Sequence, residues 1–144
     1  MEADIRVVQR VDAPPERVFA AWLDAGTAGR WLFATASRPV DEVTIDPRVG
    51  GAFRFVERRG DAIAVRCGRY LEIEPPRRLA FTLASEYCAE DVSHVAIDIV
   101  GCGDGCELML RHTHVPAEER ERMEGRWTGI LFGLAETLDV WLTT

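Results

Sequence analysis

The sequence predicts an α+β domain in which a curved antiparallel sheet of about seven strands wraps around one long C-terminal helix. Three observations carry that expectation. From Asp41 to His112, apolar residues recur at every second position in short runs, the period of a strand with one buried face. From Met123 to Trp141 they recur at steps of three and four, which makes one apolar stripe on a helix of about 25 residues. The strand-like runs are separated by short turns rich in Pro, Gly and Asp, so neighbouring strands join as hairpins in a meander.

Asp4–Val11 alternates around Ile5 and Val7 and reads as a first strand. Asp12-Ala-Pro-Pro-Glu follows, with Asp12 as the expected N-cap, prolines in the first turn and Glu16 at the positive end of the dipole. Val18, Phe19, Trp22 and Leu23 share a helical face. Asp24-Ala-Gly-Thr breaks that helix, and a second short one around Ala28–Leu32 presents Trp31. Val43 and Ile45 begin the meander, and Asp46-Pro-Arg-Val-Gly-Gly turns it. Phe53 and Phe55 mark the next strand. A long one, Ala62–Glu74, ends at Pro75-Pro76. Leu79, Phe81 and Leu83 share a face, as do Val95, Ile97 and Ile99. Gly101-Cys-Gly-Asp-Gly-Cys106 is a hairpin turn, and Leu108, Leu110 and His112 line the last strand. Pro116-Ala-Glu-Glu opens the final helix.

At 144 residues the chain is expected to form a single domain, spanning 1–144. Its formal charge of -7 disfavours nucleic acid and anionic membrane as partners, because both need clustered cations. All the basic residues are Arg, a compositional habit rather than a functional one. The acidic N-terminus lacks the pattern of a signal peptide and no apolar run is long enough for a bilayer, so a cytoplasmic location is expected. In that compartment Cys67, Cys88, Cys102 and Cys106 are expected as free thiols, although Cys102 and Cys106 could approach across their hairpin.

The stretch Val11-Asp-Ala-Pro-Pro-Glu-Arg-Val-Phe-Ala-Ala-Trp22 resembles the entry to the first helix of SRPBCC (START-like) proteins. More narrowly, Gly29-Arg-Trp31, Asp46-Pro-Arg-Val-Gly-Gly-Ala-Phe-Arg-Phe55, Gly68–Thr82 with its Glu-Ile-Glu-Pro-Pro-Arg-Arg-Leu core, Glu107–His112 and Gly125-Arg-Trp-Thr-Gly129 resemble homologues of the activator of the heat-shock protein 90 ATPase. That resemblance implies the helix-grip fold (START/birch-pollen-allergen-like), with two short helices after the first strand and an internal cavity. It implies no single activity, because the superfamily spans carriers, cyclases, stress proteins and co-chaperones. Two departures touch the expected cavity. Leu32-Phe33-Ala34 stands where the family often has Trp, Gly and Pro, and Glu57 stands where it often has Met.

The expected function is therefore binding of a hydrophobic or aromatic small molecule between sheet and helix. The expected lining is Trp22, Trp31, Phe53, Phe55, Glu57, Arg69, Phe81, Val95, Ile97, Leu110, His112, Trp127 and Leu131, with Phe132 a further aromatic candidate. By strand parity Glu57 shares a face with Phe53 and Phe55, and Arg69 with Cys67 and Leu71; if both faces point inward, the two charges must pair with each other or with ligand. His112 and His114 continue the Leu108–Leu110 face. Such a histidine is either a satisfied core residue or a group that meets ligand. The alternative function is a cyclase or hydrolase using Glu57, His112 and Arg69 as acid–base and charged groups. A second alternative is a chaperone ATPase-stimulating module, suggested by the family name alone. No cofactor and no metal site is expected, since two histidines do not make one. An exposed Trp31 or Trp141 would support a homodimer.

Overall fold

A computed structural model describes residues 2–32, 42–59, 61–85 and 93–143. The order is β1 (Glu2–Val11), α1 (Pro15–Leu23), α2 (Ala25–Trp31), β2 (Glu42–Ile45), β3 (Ala52–Arg59), β4 (Ala62–Glu74), β5 (Arg78–Ser85), β6 (Ser93–Cys102), β7 (Gly105–Pro116), a 3-10 turn (Ala117–Glu119) and α3 (Arg120–Thr143). The seven strands form one antiparallel sheet in the order β1-β7-β6-β5-β4-β3-β2. Strands β2 to β7 are the expected meander, and β1 returns to pair with β7. The apolar face of α3 covers the sheet, with Trp127, Leu131, Leu134 and Leu138 buried against it. This is the α+β architecture that the hydrophobic periods predict and the helix-grip fold that the resemblance implies.

Capping differs from expectation. The cap of α1 is Pro14, without a side-chain bond, and Asp12 instead meets Arg10 at 3.3 Å. Asp24 takes the capping role one helix later. Its carboxylate accepts from the Thr27 amide at 3.0 Å and from the Thr27 hydroxyl at 2.6 Å, so the residue that ends α1 also starts α2. Those bonds hold the Asp24 carboxyl below its usual pKa.

Two bulges reset which side chains enter the core. On β7, Thr113 and His114 together oppose Asp4 alone, and His114 takes a φ of 62°. His114 is thereby turned out and Val115 in, so the expected shared face of His112 and His114 ends at His112. On β4, Leu71 is the extra residue between the Tyr70–Phe81 and Glu72–Ala80 pairs. Tyr70 is buried, Ile73 is half-buried opposite Leu79, and Arg69 and Leu71 are exposed. The inward face considered for Arg69 and Leu71 is thus corrected: the face of β4 that carries Tyr70 enters the core, and the bulge at Leu71 resets the phase only beyond it.

The narrow-family motifs turn out to brace these strands. Gly50 sits at φ 84° and donates its amide to the Tyr70 carbonyl, while the Gly51 carbonyl accepts from the Tyr70 amide. The Gly-Gly turn is thus docked on β4 and aims Phe53 inward. In the Glu-Ile-Glu-Pro-Pro-Arg-Arg segment, Arg78 reaches Glu72 at 2.9 Å and Asp98 at 3.0 Å, tying β4, β5 and β6 on the outer surface.

The thiols divide. Cys102 and Cys106 are free, one exposed and one buried, in a hairpin that turns at Gly103-Asp104. Cys67 is disulfide-bonded, against the expectation of four free thiols. Cys88 and the side chain of Trp141 lie outside the described residues. No described helix is long and apolar enough to cross a membrane.

Gly68 marks the closest strand approach. A Cβ there would lie 1.8 Å from the Thr82 carbonyl oxygen and 2.9 Å from the Phe53 ring. Gly68→Ala is expected to lower unfolding stability by about 2–3 kcal/mol through overpacking. Gly129→Ala, on a helix face with nothing within 4 Å, is expected to raise it by about 1 kcal/mol. Chemical denaturation of the two variants beside wild type checks both signs.

Candidate ligand-binding site

Two features mark the interior: one joins α3 to the sheet, and the other lies between α1 and strands β3, β4 and β5, not under the C-terminal helix as expected. The first is a hydrogen-bond chain. His112, on β7, is 1% exposed and is the buried polar residue of the described core. The Trp127 indole N–H on α3 donates to His112 Nδ1 at 2.9 Å. An indole nitrogen only donates, so Nδ1 must be the unprotonated nitrogen and Nε2 carries the proton. Nε2–H then donates to Ser93 Oγ at 2.6 Å, and the Ser93 hydroxyl donates to the Leu83 carbonyl at 3.1 Å. Every proton in the chain has a defined direction. Burial pushes the His112 pKa down to about 4, and the indole donor facing Nδ1 opposes protonation as well.

The second feature is an aromatic cluster. Phe53 of β3 is its hub, with ring centroids 5.3 Å from Phe81, 5.4 Å from Tyr70 and 6.0 Å from Phe55. Its ring stands nearly perpendicular to Phe81 and to Phe55. Trp22 lies 6.3 Å from Phe81 and meets Trp31 edge-on at 4.6 Å. These rings, with Leu32 and Leu79, leave a void of about 10 Å³ lined by Trp22, Leu32, Phe53, Phe55, Tyr70, Leu79 and Phe81, about the room one water takes. Among the described residues no charged side chain lines it. Tyr70 is held as a neutral phenol, its pKa raised first by burial and then by the Asp46 charge. The Trp22 indole N–H is fully buried and has no hydrogen-bond partner among the described residues. Leaving such a donor unanswered costs about 1–3 kcal/mol.

The expected site residues fall into distinct places. Trp22, Phe53, Phe55 and Phe81 line the void. Trp31, Val95, Ile97, Leu110, Trp127 and Leu131 are buried core residues outside its lining, and the Trp31 N–H is spent on the Ala21 carbonyl at 3.3 Å. A buried Trp31 offers no exposed surface to a second subunit. Phe132 is 56% exposed, on the outer face of α3. Glu57 is half-buried at the end of β3. Arg69 is exposed and donates to the Gly50 carbonyl at 3.0 Å, because the β4 register turns it away from the core. His112 is four strand spacings from Glu57, roughly 19 Å along the sheet. The three groups of the catalytic alternative therefore do not converge. Among the described residues no three His, Cys, Asp or Glu side chains gather as a metal would require.

Strand parity alone missed Tyr70 and the unanswered state of the Trp22 N–H. The Gly-Gly turn and Gly68 were the signals for Tyr70, since both mark backbone held close to β4. Nothing in the sequence separates the three described indoles by partner.

A long helix gripped by a seven-stranded antiparallel sheet over an aromatic core defines a member of the SRPBCC class. The chain belongs to the family described as Activator of Hsp90 ATPase homolog 1-like protein, whose model matches residues 12–139. Among solved structures, a protein from Chromobacterium violaceum is 28% identical, with 92% of this chain and 95% of that one covered and a TM-score of 0.78. One from Rhodobacter sphaeroides is 24% identical over 97% and 92%, with a TM-score of 0.80. A protein of unknown function from Staphylococcus aureus is 14% identical over 100% and 98%, and its TM-score of 0.87 speaks for the fold alone. Among functionally curated proteins none matches.

The His112 chain makes stability pH-dependent with a defined sign. Its folded pKa of about 4 lies below the ordinary 6.5, so the unfolded chain takes up the proton first as pH falls. The contribution is whole above pH 6.5 and is lost progressively down to about 4, a gap of about 3 kcal/mol. His112→Phe, which strands the Trp127 N–H, should be less stable than wild type by about 3 kcal/mol at pH 7. That difference should shrink as pH falls from 6.5 to 4, measured by urea denaturation at stepped pH.

Proposed function

We propose that the protein binds a small apolar or aromatic molecule in the aromatic end of its core, between α1 and strands β3, β4 and β5. The observation that carries this reading is the void itself: seven uncharged, mostly aromatic walls and one buried donor without a partner. Apolar walls with few polar groups are how small-molecule pockets are generally built. With room for about one water, the void admits a larger guest only when the surrounding rings turn. Burying the guest's apolar surface, at about 25 cal/mol per Å², supplies the driving force for that opening.

Binding is favoured over cyclase or hydrolase chemistry by the same walls. Acid–base catalysis needs a titrating group within hydrogen-bond reach of the reacting atom. Among the described residues the lining offers only Tyr70, held neutral, and both His112 ring nitrogens are already engaged. The chaperone-activating role in the family's name belongs to the protein so named and supplies no argument for this pocket.

Native mass spectrometry of freshly purified protein should show a co-purifying small molecule that organic extraction removes. Apolar aromatic fragments should then stabilise the emptied protein, by about 2.7 kcal/mol at a hundredfold excess over Kd. Protein that is empty as purified and unmoved in melting temperature by every fragment would sink the reading.

A further inference from the structure

We infer that the guest is a neutral, flat molecule carrying a hydrogen-bond acceptor, such as a carbonyl oxygen or a ring nitrogen, which the Trp22 indole N–H reads. This rests on the binding reading above and names the class of ligand. Three observations lead to it.

The first is the donor. Of the described indoles, Trp127 gives its proton to His112 and Trp31 gives its own to the Ala21 carbonyl. Trp22 alone has none to give it to, and it stands in the wall of the void. An indole N–H cannot accept, so an acceptor on the guest would answer it in a void that otherwise has room for about one water. The second is charge. No lining residue among those described is ionised, and an ionised guest would be buried among hydrocarbon without a counter-charge from them, at a cost no single hydrogen bond offsets. The third is shape. Phe53 stands at 85° to Phe81 and 77° to Phe55, so a flat ring can lie on one face while meeting another edge-on. A pocket with a stranded donor also discriminates, because a guest of the same shape without the acceptor leaves that donor unpaired.

The test uses the whole chain, labelled with nitrogen-15, and follows the tryptophan side-chain N–H signals. Trp22 is assigned by its loss in Trp22→Phe. Three probes of nearly the same size are titrated: acetophenone, α-methylstyrene (which carries a CH₂ in place of the carbonyl oxygen) and benzoate. Acetophenone should bind about tenfold more tightly than α-methylstyrene and move the Trp22 N–H signal downfield. In Trp22→Phe the two should bind equally. Equal affinities in wild type, tightest binding of benzoate, or an unmoved Trp22 signal while other core signals shift would each overturn the inference and leave a binding protein. If none of the three moves any tryptophan signal at millimolar concentration, the pocket reading fails, and the inference with it. The wild-type titration decides the matter even if Trp22→Phe does not fold.

Discussion

The hydrogen-bond chain from Trp127 through His112 and Ser93 to the Leu83 carbonyl fixes where α3 sits on the sheet. Apolar contact alone would not do so, because hydrophobic burial has no direction and a leucine-rich stripe packs nearly as well after sliding one turn, about 5.4 Å. A donor and an acceptor that must meet inside the core remove that freedom. Any slip of α3 would strand the indole N–H and the imidazole together in low dielectric, where each unpaired group is costly. The chain also crosses three strands, since His112 lies on β7, Ser93 on β6 and Leu83 on β5. One contact therefore sets the helix against the centre of the sheet.

With that end of the core locked, the two halves of the interior differ in kind. Around His112 every polar atom is answered, and the imidazole is kept neutral well below its ordinary pKa. Around Phe53 the packing is aromatic and perpendicular, and one indole donor is unanswered. Perpendicular rings leave wedge-shaped gaps that aliphatic side chains would close, so the void and the aromatic composition share one cause. The histidine, the residue that looks most reactive in the sequence, belongs to the closed half. The open half is defined by groups with no acid–base role near neutral pH.

Much of this was legible in advance, for a physical reason. Period two and period three-to-four reflect how strands and helices present side chains, so β4 appears in the structure as Ala62–Glu74, the bounds read from the sequence, and the stripe of α3 faces the sheet. Sequence reading failed where a single extra residue shifts the phase. Beyond Leu71 and at His114 a bulge reverses in and out, which inward-facing parity cannot foresee. Arg69 fell on the wrong face for a simpler reason: the choice between the two faces of β4 was settled by Gly68 and Tyr70, whose roles depend on β3 and β5. His112 and Trp127 were each singled out, yet their bond was not, because a contact between a strand and a helix fifteen positions apart leaves no periodic trace.

The family-like stretches supply both the braces and most of the walls, since Trp22, Phe53, Phe55, Tyr70, Leu79 and Phe81 all lie within them. Gly50 and Gly51 clasp the backbone of Tyr70, Gly68 admits the Thr82 carbonyl, and Arg78 ties Glu72 to Asp98 on the outer surface. Each acts on the backbone or the exterior, and together they hold β3, β4 and β5 at the spacing from which Phe53, Tyr70 and Phe81 converge. Such supports set the frame on which the walls stand, and a shared frame does not by itself fix what a protein does. Leu32 is one of those walls, lining the same void as Trp22 with its unanswered donor. Membership in the family accounts for the frame; a guest taken up as proposed would meet Leu32, Trp22 and the rings around Phe53.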